Sequence, residues 1–471
     1  MTAGSSILNP LWSGTEIARA TADGAVLSAL LRVEAAWGGV LAEAGVASEA
    51  SAEQVRSISI DPHGAGLRSD VLADAASGGG NPVIPLLAEV RRVLAARKAD
   101  DDALHRSATS QDILDTALVI VLREGADIVL GDIRRIAAAL SQLSADHRAT
   151  VCVARTLTQH ALPTTVGLRM AGWLDGVVRS AERLEVARAG LRLQWGGAAG
   201  TQAALVDILG QAEPSGSTTA SAGELTEQLA QVLNLAPMTR PWHTQRQSIL
   251  EISSALAGVV AALGKAAADV LTLQRPEIGE LREPRGPGRG GSSAMPQKRN
   301  PVLSTLIRSA ALSAPGSLAT LHHSAAAAVD ERPDGGWQAE WPQLMELLRL
   351  AGGAALRGAE LFEGLEVLPQ AVAQNLAQSG DALLSERIVS RLGHRTPGGP
   401  AALKTVLAES AVTGTPLRSA LRKVFTTAEL AADELDQLLD PELYLGRTQE
   451  FIDASLNAAN SFLTNSERMI R

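Results

Sequence analysis

Residues Gly286 to Pro301 read Gly-Pro-Gly-Arg-Gly-Gly-Ser-Ser-Ala-Met-Pro-Gln-Lys-Arg-Asn-Pro. Two adjacent hydroxyls (Ser292, Ser293), a cation (Lys298) and an amide (Asn300) sit in a run of Gly and Pro that no regular element can hold. Glycine lets the backbone approach a ligand closely, and the freed N–H groups can face an anion. An ammonium, an amide and backbone donors aimed at one point stabilise negative charge that grows on a carboxyl group. The stretch falls between two apolar-periodic segments, so it is a loop on a rigid frame, the usual home of a site. It also contains Gly286-x-Gly288-x-x-Gly291, the spacing of a dinucleotide-binding turn. The lead-in, Glu277 to Arg285, is charged and holds Pro284 instead of a β-branched strand, which argues against that reading.

Further polar breaks carry other chemistry-bearing groups. Asn81 follows three glycines and precedes Pro82. Thr109-Ser110-Gln111-Asp112 stands just before a long periodic run, with Thr109 or Ser110 as helix cap and Asp112 supporting the first turn. A helix N-terminus with spare hydroxyls is a ready anion site. Asp112, Asp115, Asp127 and Asp132 read as a solvated helix face. Arg155-Thr156-Leu157-Thr158-Gln159-His160 is a polar stretch between apolar flanks. His160 is the first candidate for moving a proton, because imidazole titrates near working pH. His105 and His243 read equally as packed or as ligand-facing residues. Arg246 opens a helix, where a cation opposes the dipole, so a ligand or interface role is favoured. His322 and His323 are neighbours whose rings diverge on a helix, and no His/carboxylate set has metal spacing, so no metal is expected.

The elements that must position these groups are helices. Val26/Leu27, Leu30/Leu31, Trp37 and Val40/Leu41 mark one face of a helix across Thr21–Ala44, with Asp23 or Thr21 at its start. Similar periodicity covers Ile113–Leu143, Val166–Leu193, Gln247–Leu273, Val302–Ala328 and Trp341–Leu361. Such helices, roughly 25 to 30 residues and some 40 Å long, bundle with one another. Almost nothing alternates with period two, so the fold class is all-α. Shorter helices follow about residue 363: Ala371–Ala377, Leu383–Leu392, Ala401–Ser410 and Pro416–Phe425. The expected domains are 1–112, 113–362 as a central long-helix bundle carrying the 286–301 loop, and 363–471 as a small helical domain.

The totals limit function. The 471 residues carry 42 Lys plus Arg against 51 Asp plus Glu, a net charge of -9, which disfavours general nucleic-acid binding. Apolar content is 46% with only 3% aromatic, so the core is built from Ala, Leu and Val. One cysteine, Cys152, excludes an intrachain disulfide framework and reads as a small buried hydrophobe. The first ten residues lack a basic region followed by an apolar run, and no stretch reads as a membrane span. The nearest, Val302–Val329, holds Arg308, Pro315 and two histidines. A soluble cytoplasmic protein with no membrane partner is expected.

Gly291-Ser292-Ser293-Ala294-Met295-Pro296-Gln297-Lys298-Arg299-Asn300-Pro301 resembles the signature loop of the fumarase/aspartase superfamily, GSSxMPxKxNP, at every fixed position. Ala108 to Ala117, Arg155 to Thr165 and Pro241 to Arg246 are similar to its 3-carboxy-cis,cis-muconate cycloisomerase branch. The resemblance implies a three-domain fold, a homotetramer with sites built from three subunits, no cofactor, and a small polycarboxylate substrate. It implies Ser292 as a base rivalling His160, with Lys298 in the catalytic loop. Asn81, Thr109, Ser110, Gln111, Arg155, Thr156, Lys298 and Asn300 are the expected substrate-binding residues. Three positions depart from the pattern. Leu157 stands where many of these lyases carry a proton-transferring His and the cycloisomerases a Trp, and Arg106-Ser107 replaces a Trp-Gly pair. The implied activity is formation of 4-carboxymuconolactone. The alternatives are an adenylosuccinate-lyase-like enzyme releasing fumarate and a non-catalytic helical oligomer, the latter giving Ser292, Lys298 and Asn300 no purpose.

Overall fold

A continuous 37-residue helix, α6 (Ser110–Asp146), is the longest element. At about 1.5 Å per residue it spans about 55 Å. A computed structural model describes residues 7–212, 220–291, 295 and 297–470. Before α6 come α1 (Glu16–Ala20), α2 (Asp23–Glu43), α3 (Glu49–Ile60), α4 (Ser69–Ala75) and α5 (Val83–Ala96). After it come the strands β1 (Val151–Thr156) and β2 (Gln159–Thr165), then α7 (Val166–Ala189), α8 (Ala203–Ala212), α9 (Ala222–Val232) and α10 (Gln247–Leu273). The strand β3 (Leu281–Arg282), the helices α11 (Val302–Ala326) and α12 (Gly336–Glu363), and β4 (Glu366–Val367) follow. The chain ends in α13 (Pro369–Ser379), α14 (Ser385–Leu392), α15 (Gly399–Thr413), α16 (Leu417–Val424), α17 (Ala432–Leu438) and α18 (Thr448–Ile470).

Contacts group the chain into two compact units. The first holds 1–133, 179–264 and 306–358; the second holds 134–178, 265–305 and 359–471. In the first, the apolar stripe of α2 (Leu27, Leu30, Leu31, Trp37, Leu41) is buried, each such side chain stabilising by about 1.5–3 kcal/mol. Ala22 caps α2 without a side-chain bond, and the Thr21 hydroxyl instead donates to the Ile17 carbonyl. In the second, α14 to α17 close around their own cluster, which includes Ile388, Leu403, Leu421, Phe425 and Leu435.

Several sequence expectations change. The 155–165 stretch is an antiparallel hairpin, with Thr156 opposite Gln159. Its turn residues Leu157 and Thr158 both have positive φ, 49° and 70°, the geometry a two-residue hairpin turn demands. Strands were missed because Pro163 and the polar tip hide the alternation. The C-terminal helices are not all short: α18 runs 23 residues, and α17 also went unrecognised. Among the described residues the helices α2 and α10, not Val302–Val329, are the ones long and apolar enough to cross a membrane; 56% and 50% of those stretches are buried, as fits helices of a packed core. Cys152 is buried as expected.

Candidate active site

In the first unit the polar groups gather at the start of α6. The Thr109 N–H donates to the Asp112 carboxylate at 3.0 Å, one half of a capping box. Asp112 is fully buried, not solvated. It also accepts from Gly196 N and Gly197 N, each at 2.8 Å, and from Gln194 Nε2 at 3.3 Å. His243 Nε2 lies 2.9 Å from its Oδ1. Gly196 is required: a Cβ there would fall 2.7 Å from His243 Cε1. Asp112 thus ties the glycine-rich 195–201 loop to the helix end that carries Thr109 and Ser110. Neither of those two hydroxyls is engaged among the described residues, and both residues are half-buried.

Asp115, one turn on, is likewise buried and pairs with Arg246 through bonds of 2.6 and 3.1 Å. Arg246 pairs with Glu340 as well, and Trp337 Nε1 donates to Asp115 at 2.8 Å. Burial acts to lower the Arg246 pKa, but Asp115 and Glu340 outweigh it and raise it. Arg246 is therefore an interior charge clasp, and the ligand or interface role expected for it is not what this geometry shows. Gln111 is fully buried, donating to Asp115 at 3.0 Å and to the His243 carbonyl at 2.9 Å while accepting from Arg332 at 3.1 Å. Asn81 is buried too; its Oδ1 accepts from Val83 N at 3.0 Å and opens α5.

In the second unit the hairpin carries Arg155, Thr156 and His160. Arg155 reaches buried Glu280 at 2.6 Å, and Arg169 reaches the same carboxylate at 3.3 Å. Asn375 on α13 donates to Glu280 at 2.9 Å. The exposed His160 ring meets Ser379 Oγ through Nδ1, which leaves Nε2 for a ligand. Thr156 and Leu157 are exposed at the tip. Beside the hairpin lies a cavity of about 680 Å³ lined by Arg155, His160, Arg169, Arg275 and Asn375 among others.

The glycine loop belongs to the same unit. Lys298, Asn300, Arg289, Arg285 and Arg282 line a smaller cavity of about 290 Å³. The loop is pinned where Asn300 N donates to the Gly290 carbonyl at 2.9 Å. Gly290 has φ 71°, and a Cβ there would meet the Asn300 carbonyl oxygen at 2.7 Å. Buried Glu283 accepts from Leu303 N and Ser304 N, at 3.0 and 2.8 Å, and so anchors α11 directly behind the loop. Lys298 is exposed. Ser292 lies outside the described residues.

A family model described as Lyase matches residues 80–316. A nitrosuccinate lyase of Streptomyces davaonensis is 41% identical over 96% of this chain and 94% of its own length. A 3-carboxy-cis,cis-muconate cycloisomerase of Pseudomonas aeruginosa is 38% identical over 91% of this chain and 89% of its own. The chain belongs to the fumarase/aspartase lyase family. The solved 3-carboxy-cis,cis-muconate lactonizing enzyme of Pseudomonas putida has the same fold, with a TM-score of 0.86 at 32% identity, covering 97% of this chain and 99% of that one.

As a fumarase/aspartase-family lyase the chain has residues near its candidate site that the sequence did not single out. Arg332 bridges Gln111 and the Ala198 carbonyl, the latter at 2.7 Å. Arg169, Glu280 and Ser379 organise the hairpin. The only advance signal was a charged residue within an apolar periodic stretch, which Arg169 shares with many surface arginines.

Proposed function

We propose that this lyase converts 3-carboxy-cis,cis-muconate to 4-carboxymuconolactone, a step of protocatechuate breakdown. The likeness to 3-carboxy-cis,cis-muconate cycloisomerases carries the reading, and the hairpin tip counts against the His-bearing lyases. Leu157 occupies the place where His-bearing members of the superfamily have their proton-transferring ring, and the imidazole at the hairpin is His160, which engages Ser379 through Nδ1 and lines the cavity. In the reaction a substrate carboxylate oxygen forms a C–O bond to one alkene carbon. The π pair moves onto the neighbouring carbon, which is conjugated with a carboxyl group, and an aci-carboxylate forms. His160 or Ser292 delivers the proton to that carbon, and no other group leaves or enters. Lys298, Asn300 and the loop N–H groups stabilise the aci-carboxylate. Arg155, Thr156, Asn81, Thr109, Ser110 and Gln111 bind or brace the remaining carboxylates. The active form is the family's homotetramer, with each site shared among three subunits and no cofactor.

A second reading follows from the 41% identity to a nitrosuccinate lyase. A nitro group has the planar three-atom shape of a carboxylate, and its loss as nitrite parallels the departure of a carboxylate in the reverse cycloisomerase direction. Purified protein mixed with the muconate should bleach its conjugated ultraviolet absorbance. Nitrite released from nitrosuccinate, with no bleaching of the muconate at micromolar enzyme, rejects the first reading in favour of the second.

A further inference from the structure

We propose that the cavity of about 680 Å³ beside the hairpin is a carboxylate pocket, in which Arg275 together with Arg155 and Arg169 holds one acid group of the substrate. The proposal rests on the polycarboxylate reading above and extends it to Arg169 and Arg275, which lie outside the family motifs. Glu280 is 1% exposed and accepts from Arg155 Nη1 and Nη2, Arg169 Nη1 and Asn375 Nδ2, which uses the lone-pair sites of one carboxylate. Two guanidinium groups therefore share one anion, and the wall they form keeps positive charge. Both side chains remain slightly exposed, at 14% and 16%, and their Nε donors have no partner among the described residues.

The rest of the lining sharpens this. Lys265 and Asp269 are paired and cancel. Glu277 also lines the cavity and opposes binding, but no described carboxylate pairs with Arg275. Arg155, Arg169 and Arg275 against Glu277 and Glu280 leave the wall one positive charge in excess, which favours a singly charged acid group over a phosphate dianion. Leu168, Leu273 and Ile278 offer apolar wall for a hydrocarbon backbone, and the volume suits a six- or seven-carbon acid.

Titration calorimetry on the full-length protein at fixed ionic strength tests this, with the unreactive triacid tricarballylate, with succinate and with inorganic phosphate. Tricarballylate should bind, and Arg275→Gln should weaken it by about tenfold or more. Arg275 has no described side-chain partner to strand, so its variant folds; Gln378 also lines the cavity, as an exposed amide, and Gln378→Leu is a second variant expected to weaken binding by a smaller factor. Phosphate binding as tightly as the triacid, no heat with any acid, or both variants binding like wild type overturns the pocket. Turnover of the muconate is followed separately. Acid binding without turnover removes the functional reading and leaves the pocket standing; turnover with KM unmoved by Arg275→Gln does the reverse.

Discussion

His243 and Asp112, 131 positions apart in the chain, meet at 2.9 Å in the interior of the first unit. The carboxylate collects four further donors there, two of them backbone N–H groups of the glycine-rich loop. The pair holds the shape of the helix end that presents Thr109 and Ser110.

Asp112→Ala strands buried donors and is expected to cost about 3–5 kcal/mol. The urea midpoint should drop, and amide exchange at Gly196 and Gly197 should quicken. Unchanged exchange at both glycines would show that the loop is held by something else.

Arg246→Met leaves Asp115 and Glu340 buried without their counter-ion. Burial already raises the Glu340 pKa, against the charge and hydrogen bonds of Arg246, which lower it. A raised folded-state pKa means that the folded chain keeps a proton the unfolded chain has released, so stability falls as pH rises above the ordinary glutamate range. Removing Arg246 takes away the lowering influence. The fall between about pH 5 and pH 8 should therefore be steeper in the variant than in wild type. Parallel denaturation midpoints across that range would contradict this.

Lys298→Ala should reduce turnover by about 10²–10³-fold, the usual cost of one donor to a developing oxyanion. Because Lys298 is exposed, the melting temperature and the oligomer should not change. Gly290→Ala forces a Cβ to 2.7 Å from the Asn300 carbonyl at a φ of 71°, so it should displace Asn300 and lower turnover with a small effect on stability. Full activity in both variants would detach the loop from the chemistry.

Where His160 is the proton donor, mixed, refolded Lys298→Ala and His160→Ala subunits should turn over faster than either variant alone, since a site shared between subunits can then draw each intact residue from a different chain. No recovery in a verified hybrid oligomer would count against sharing.

Cys152 is buried, and desolvation pushes its thiol pKa up to about 11. At pH 8 it should stay unmodified by a disulfide reagent in the native protein and react fully in guanidinium. Rapid native labelling would show that the β1 edge opens.

The sequence alone determined what is local. Helical periodicity, the support that Asp112 gives the first turn of α6 and the Gly286–Pro301 loop are each encoded within a few neighbouring residues, so they were legible before any fold was known. The turn at Leu157 and Thr158 was not, because positive φ in non-glycine residues is imposed by pairing with a partner strand. Tertiary structure decided which polar residues face inward. A carboxylate on a helix looks the same in sequence whether it meets water or a guanidinium: Asp112 and Asp115 read as solvated, yet His243 and Arg246, each 131 positions away, bury them. Glu280, which lies 125 positions from Arg155 and 111 from Arg169, shows the same limit. Charge pairing across such separations depends on how the helices pack, which no short window of sequence contains.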